Sequence, residues 1–344
     1  MGWAKPLYPS KEVNQAGELL VRGNPRGKTL THALNVVDNF RSAHAFPLNT
    51  LQVNLREHAK VIDPQSIIAQ RLKRLFSILV KLDRFKTMRL WEMQDIGGCR
   101  AIVHTVDQVN QLADIYKLGS TRIRHKLVGQ KNYILQPKLD GYRSRHLIYR
   151  YVSDKNEVYN DLKIEIQIRT ILQHAWATAV ETVDAFTDQA LKSSRGSEDW
   201  KRFFQLVGTE IAYREKSPLI PRISIDRKQW ILELKDCANA LKVRATLLGF
   251  ADTLRAVTPN KNFQYFLLSL DQKAEQLSIT GYNQKELAKA SKAYATQEKI
   301  IRQKKAGDAV LVSVESLGDL RRAYPNYFAD TAIFIKILDE CMKE

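Results

Sequence analysis

The 344-residue chain is poor in cysteine, with only Cys99, Cys237 and Cys341, all far apart. That spacing gives neither a disulfide framework nor a zinc ligand set, so no zinc is expected and a reducing cytoplasm fits. No apolar run approaches the roughly 18 residues that a membrane helix needs, so no membrane partner is expected. Met1 to Ser10 has no apolar core and no cleavage-site pattern, which speaks against a secretory signal. There is no internal repeat and no low-complexity tract. What remains is a globular balance of 44% hydrophobic and 26% charged residues, at a length that suggests two domains or one with a large appendage.

What the chain has in excess is positive charge, a net of +17. Residues 226–344 hold 19 Lys/Arg and 15 Asp/Glu, against 35 and 22 in residues 1–225, so most of the excess lies in the first two-thirds. From Lys117 to Arg150 there are nine Lys/Arg and one acid, Asp140. Such a cluster points to polyphosphate, RNA or another acidic partner, although a solvated basic face gives the same pattern.

Periodicity predicts a mixed α/β (α+β) fold. A helix is expected over about 30–41. A second is expected over about 66–88, where Ile68, Leu72, Leu75, Leu79 and Leu82 recur at steps of four and three, with an extended entry as the alternative after Asp63-Pro64. Cys99 to Thr105 reads as a buried strand. In Leu162 to Arg169 aliphatic and polar residues alternate strictly, giving a strand with one greasy face and one polar face on which a site can be laid. Helices follow over about 172–184 and 199–215. A long connecting helix is expected over 229–257, and then a small ββαβα module. The expected boundaries are 1–225, 226–258 for the connector, and 259–344.

Several positions suit phosphate chemistry. Lys73, Ser77 and Lys81 share one face if helical, and two ammonium groups around a hydroxyl can clamp a polyphosphate. Asp95 precedes the buried strand and suits Mg²⁺, with Arg100 five residues on. Glu165 and Gln167 project from the polar face of the clean strand, and Glu165 suits a metal ligand or a base for an attacking hydroxyl. Tyr142, between Gly141 and Arg143, suits stacking on a base. Each has a plainer reading as a wet helix flank, a turn aspartate, a surface strand or a core tyrosine. His174 and Glu181 read as structural, tethering their helix to the sheet.

Taken in order, these segments resemble the RelA/SpoT synthetase family over roughly residues 30–215. The resemblance rests on Arg71-x-Lys73-x3-Ser77-x3-Lys81, Asp95-x4-Arg100, Gly141-Tyr142-x-Ser144-x-His146, Glu165-x-Gln167-x-Arg169-Thr170, and the helix His174-Ala-Trp-Ala177. It implies a nucleotidyltransferase-like mixed sheet and transfer of the β,γ-pyrophosphate of ATP to a ribose hydroxyl with Mg²⁺. It also implies roles by position. Arg71 and Arg100 would sandwich adenine, and Lys73, Ser77 and Lys81 would hold phosphates. Asp95 would bind metal, Glu165 would act as metal-linked base, and Tyr142 would stack the acceptor base. No hydrolase-type His-Asp cluster is evident, so synthesis alone is expected.

The basic acceptor region, with Arg122, Arg124, Lys138, Arg143 and Arg145 alongside Gln167, favours the 3′-terminal adenosine of tRNA over GDP or GTP, because many spread cations suit a phosphodiester chain. The C-terminal Tyr324-Pro-Asn-Tyr327 element resembles the fused antitoxin module of CapRel-type phage-defence toxin–antitoxin proteins, zinc-finger-like but without zinc. That resemblance implies self-restraint through Tyr324 and Tyr327, and release by a phage major capsid protein.

Overall fold

The computed structural model describes residues 3–116, 124–186, 194–221, 223, 226–253, 255–257, 263–271, 276–304, 307–314, 317–328 and 330–344. Three helices come first, α1 (Ser10–Arg22), α2 (Gly27–Ala43) and α3 (Ala45–Ile62). Next are β1 (Ile67–Leu72), α4 (Leu75–Arg84), β2 (Gly97–Val103), α5 (Val106–Ile115), β3 (Lys126–Asn132), β4 (Arg145–Arg150) and β5 (Lys163–Thr170). Four helices follow, α6 (Ile171–Phe186), α7 (Ser194–Arg214), α8 (Arg227–Ala240) and α9 (Val243–Thr253). The chain ends with β6 (Arg255–Val257), β7 (Tyr265–Asp271), β8 (Gln276–Tyr282), α10 (Leu287–Lys304), β9 (Asp308–Ser313), α11 (Leu317–Ala323) and α12 (Ala332–Lys343).

Two sequence expectations are corrected. The helix expected from Ser66 begins only at Leu75, and its first part is β1. A step of four residues keeps Ile68 and Leu72 on one face in either a strand or a helix, so the stripe does not discriminate. Pairing with β2 on one side and β9 on the other selects the strand. The single connecting helix over 229–257 is instead α8 and α9, broken at Leu241 and Lys242, where Lys242 takes a φ of 49°. The last residues of that segment form β6.

Among the described residues, nine strands form one sheet in the order β3-β4-β5-β2-β1-β9-β7-β8-β6. The pairs β2–β5 and β6–β8 are parallel, and the others are antiparallel. The β5 alternation is built as the sequence suggests. Ile164, Ile166 and Ile168 are fully buried with Leu51, Leu55, Leu112 and Tyr116 of α3 and the α5 end. Glu165 and Gln167 face the other way. At the seam between the two ends of the chain, β1 meets β9 with Gln70 opposite Ser313 and Arg71 opposite Val312. A second core gathers Trp176, Phe203, Phe204, Trp230, Phe334 and Leu338 from α6, α7, α8 and α12. Among the described residues no helix is long and apolar enough to cross a membrane.

Candidate active site

Strand register assembles the polar face. Arg71 lies opposite Gly98, Gly98 opposite Glu165, and Arg100 opposite Gln167. Residues at matched positions on neighbouring strands project to the same side. A cavity of about 140 Å³ opens there, lined by Arg71, Lys73, Ser77, Asp95 and Arg100 together with Glu165, Gln167 and Tyr324. Four separate sequence segments thus converge on one pocket. Ser77 reaches it from the first turn of α4, whereas Lys73 reaches it from the link between β1 and α4.

The two carboxylates of the pocket are each held by neighbouring side chains. Asp95 accepts from Lys73 Nζ at 2.8 Å and from Lys81 Nζ at 2.9 Å. Burial pushes its carboxyl up, but the two ammonium groups outweigh that and hold it below its ordinary value. Glu165 is bound by His146 Nδ1 at 2.8 Å and accepts from Gln167 Nε2 at 2.7 Å. Burial again pushes up, and the His146 contact prevails, keeping the carboxylate ionised. His146 Nε2 lies 2.8 Å from the Tyr142 hydroxyl, so tyrosine, imidazole and carboxylate form a chain. The loop pattern contains His146 without assigning it this role. Alternation along β4, which sets it opposite Gln167, was the available signal. Arg169 is buried among Arg100 and Arg71, and its pKa is brought down to about 9 by burial and then by Arg100.

The basic loop expected to hold the acceptor is only partly gathered around this chain of tyrosine, imidazole and carboxylate. Gly141 has a φ of 97°, and a Cβ there would lie 3.0 Å from Trp176 Cζ2 and from Phe204 O, so the turn accepts only glycine. Trp176 of α6 fixes the other wall by donating from Nε1 to Phe204 O at 2.8 Å. Lys138 Nζ sits 4.6 Å from the Tyr133 ring centre and 4.8 Å from that of Tyr142. Arg124 is exposed. Arg122 lies outside the described residues. Arg143 and Arg145 do not point at the pocket. Arg145 alternates with His146 and so faces α5, donating to Asn110 Oδ1 at 3.2 Å. Arg143 is 2% exposed and donates to Ile134 O at 3.1 Å and Pro218 O at 2.6 Å. Arg143→Ala is therefore expected to cost about 1–3 kcal/mol of stability by orphaning two carbonyls. Denaturant unfolding reads this, and an unchanged midpoint with lost acceptor binding would return Arg143 to the substrate.

Tyr324 and Tyr327 are each 3% exposed and pack over β1, β9 and β7 with Val310, Val312 and Phe266. Tyr324 enters the cavity itself and lies in the field of Arg71 and Arg100, while burial raises its phenol above the ordinary value. Tyr327 donates to Asp308 Oδ2 at 2.9 Å, and Asp308 also pairs with Arg74. His174 Nε2 is 2.9 Å from Arg322 O, so α6 is tied to α11. Glu181 contributes negative potential at Arg71 and Arg100.

Residues 70–185 match the family described as the region found in RelA and SpoT proteins. The chain is 34% identical over 127 residues to the GTP pyrophosphokinase YjbM of Bacillus subtilis, covering 36% of this chain and 58% of that protein. It is 35% identical over 116 residues to the GTP pyrophosphokinase YwaC of the same organism, covering 31% and 52%. It thus spans little more than half the length of these relatives. The crystal structure of small alarmone synthetase 1 from Bacillus subtilis, bound to its product pppGpp, aligns with a TM-score of 0.38 at 28% identity, covering 49% of this chain and 85% of that one. The pocket residues from Arg71 to Gln167 fall within the matched segment, Tyr324 lies outside it, and the similarity to the RelA/SpoT region is that of residues 70–185.

Proposed function

We propose that this chain is an ATP-dependent pyrophosphokinase. The observation that carries the reading is one pocket holding two carboxylates, Asp95 and Glu165, among Arg71, Lys73, Ser77 and Arg100. Arg71 and Arg100 receive adenine between their guanidinium planes, and Lys73, Ser77 and Lys81 receive the triphosphate. Lys73 and Lys81 then exchange the Asp95 carboxylate for phosphate oxygens. The acceptor ribose hydroxyl attacks the β-phosphorus, the bond from that phosphorus to the α,β-bridging oxygen breaks, and AMP leaves. Glu165 takes the hydroxyl proton, held in place by His146 and Gln167. Tyr142 stacks the acceptor base, oriented by its hydroxyl contact with His146.

Two carboxylates that share a pocket with phosphate-binding cations fit Mg²⁺, which commonly binds through one or two carboxylates plus substrate oxygens. Asp95 and Glu165 would hold it, and when bound it neutralises charge on the transferred group.

For the acceptor, we favour the 3′-terminal adenosine of tRNA, a modification that would block translation. Its support is the edge strand β3, with exposed Lys126 and Lys131, beside exposed Arg124 and Lys138. In this reading residues 1–225 act as toxin and residues 259–344 as tethered antitoxin, with Tyr324 occupying the adenine place. The trigger, by resemblance, is a phage major capsid protein acting in antiviral defence. Similarity to the two GTP pyrophosphokinases favours a second reading, an alarmone synthetase with a purine nucleotide acceptor. ATP labelled at the γ-phosphate separates them, since label enters tRNA in the first case and a guanosine or adenosine polyphosphate in the second. Lys138→Ala is expected to raise the KM for the acceptor about tenfold, at an ATP KM within twofold, through loss of one phosphate or base contact. An equal rise in both constants would remove Lys138 from the acceptor side.

A further inference from the structure

A helix leaves its first amides without intrahelical partners, and a side-chain acceptor commonly takes one of them. Helix α4, which carries Ser77 and Lys81, starts after Arg74, whose side chain makes no cap. The acceptor comes from α10 instead. Leu75 N donates to Glu298 Oε1 at 3.1 Å, across 223 residues of sequence. Glu298 is itself held firmly. Arg41 Nη1 approaches its Oε2 to 2.7 Å, and the Tyr294 hydroxyl donates to its Oε1 at 2.6 Å. Arg41, only 3% exposed, also sits 5.0 Å from the Tyr294 ring centre. The residue before the helix is fixed the same way, with Arg74 paired to Asp308 at the start of β9.

We propose that Glu298, supported by Asp308, is a positioning residue of the phosphate site. This rests on the nucleotide reading of the pocket given above. The C-terminal segment that carries the two tyrosines also completes the helix that receives the polyphosphate. Without the cap, the first turn of α4 frays and Ser77 loses its place, whereas β4 and β5 on the acceptor side are untouched. Removing residues 259–344 would therefore remove restraint and cap together, but Tyr324→Ala removes restraint alone.

The test uses the full chain carrying Tyr324→Ala, with MgATP and no acceptor present, so that no transfer occurs. Adding Glu298→Ala is expected to weaken MgATP binding about fivefold in calorimetry. It should also speed hydrogen exchange at the Leu75 amide with no nucleotide present. Glu298→Gln keeps an acceptor oxygen and should stay within about twofold of its parent on both measures. In active Tyr324→Ala protein, Glu298→Ala should raise the ATP KM by the same factor and leave the acceptor KM alone. Unchanged or tighter MgATP binding with unchanged Leu75 exchange would overturn the proposal. So would a loss in Glu298→Gln equal to that in Glu298→Ala, which would put the effect in Arg41. Absence of MgATP binding in the starting protein would overturn the nucleotide reading instead, while Leu75 exchange still decides the cap.

Discussion

Glu165→Gln is expected to abolish transfer, lowering kcat by a hundredfold or more in a protein that remains folded. The two side chains have nearly the same shape, so Ile164 and Ile166 keep their burial on the far face of β5. What the substitution removes is the proposed base and one of the two carboxylates proposed to hold Mg²⁺. A glutamine amide cannot take a proton from the acceptor hydroxyl, and one of its two ends offers a donor where Glu165 now faces His146 Nδ1 or Gln167 Nε2. Asp95, Lys73 and Lys81 are untouched, so ATP binding should persist. Single-turnover rates with MgATP and acceptor make the measurement. Turnover within a few-fold of the parent, in protein with an unchanged unfolding midpoint, would take Glu165 out of the mechanism.

Tyr324→Ala with Tyr327→Ala is expected to raise activity by one to two orders of magnitude and to make expression toxic. A tethered ring faces an effective concentration on the order of millimolar, so even a weak contact competes well with ATP. Tyr324 already shares the cavity with Arg71 and Arg100, and a guanidinium stacks on a phenol ring as it does on adenine. Tyr327 acts differently, through Asp308 and hence Arg74. Tyr324→Phe should therefore remain restrained, because it keeps the ring. Adding Glu165→Gln to the double alanine variant should remove the toxicity. A double variant that is folded, harmless and no faster than its parent in vitro would rule out the restraint.

Composition, charge and short motifs made much of the site legible. The period-two run through β5 told which residues face the pocket, because a strand that buries one face must alternate. Spacing alone could not tell β1 from a helix, since Ile68 and Leu72 share a face under either period. It also took Arg143 and Arg145 for a single cluster. Alternation sends Arg145 toward α5, and the glycine turn carries Arg143 inward to the carbonyls of Ile134 and Pro218.

By itself, then, the sequence determined which side chains bear charge and hydroxyl and how they are ordered along 70–185, and the local periods gave most helices and strands. Only the tertiary structure decided that β9 would pair with β1, that Tyr324 would share the cavity with Arg71, and that Glu298 would cap α4. The physical reason is separation. Those contacts join residues more than two hundred positions apart, and a sheet edge, an open helix terminus and a buried arginine leave no local pattern that names their partners. The partners are chosen by which surfaces meet when the whole sheet is built.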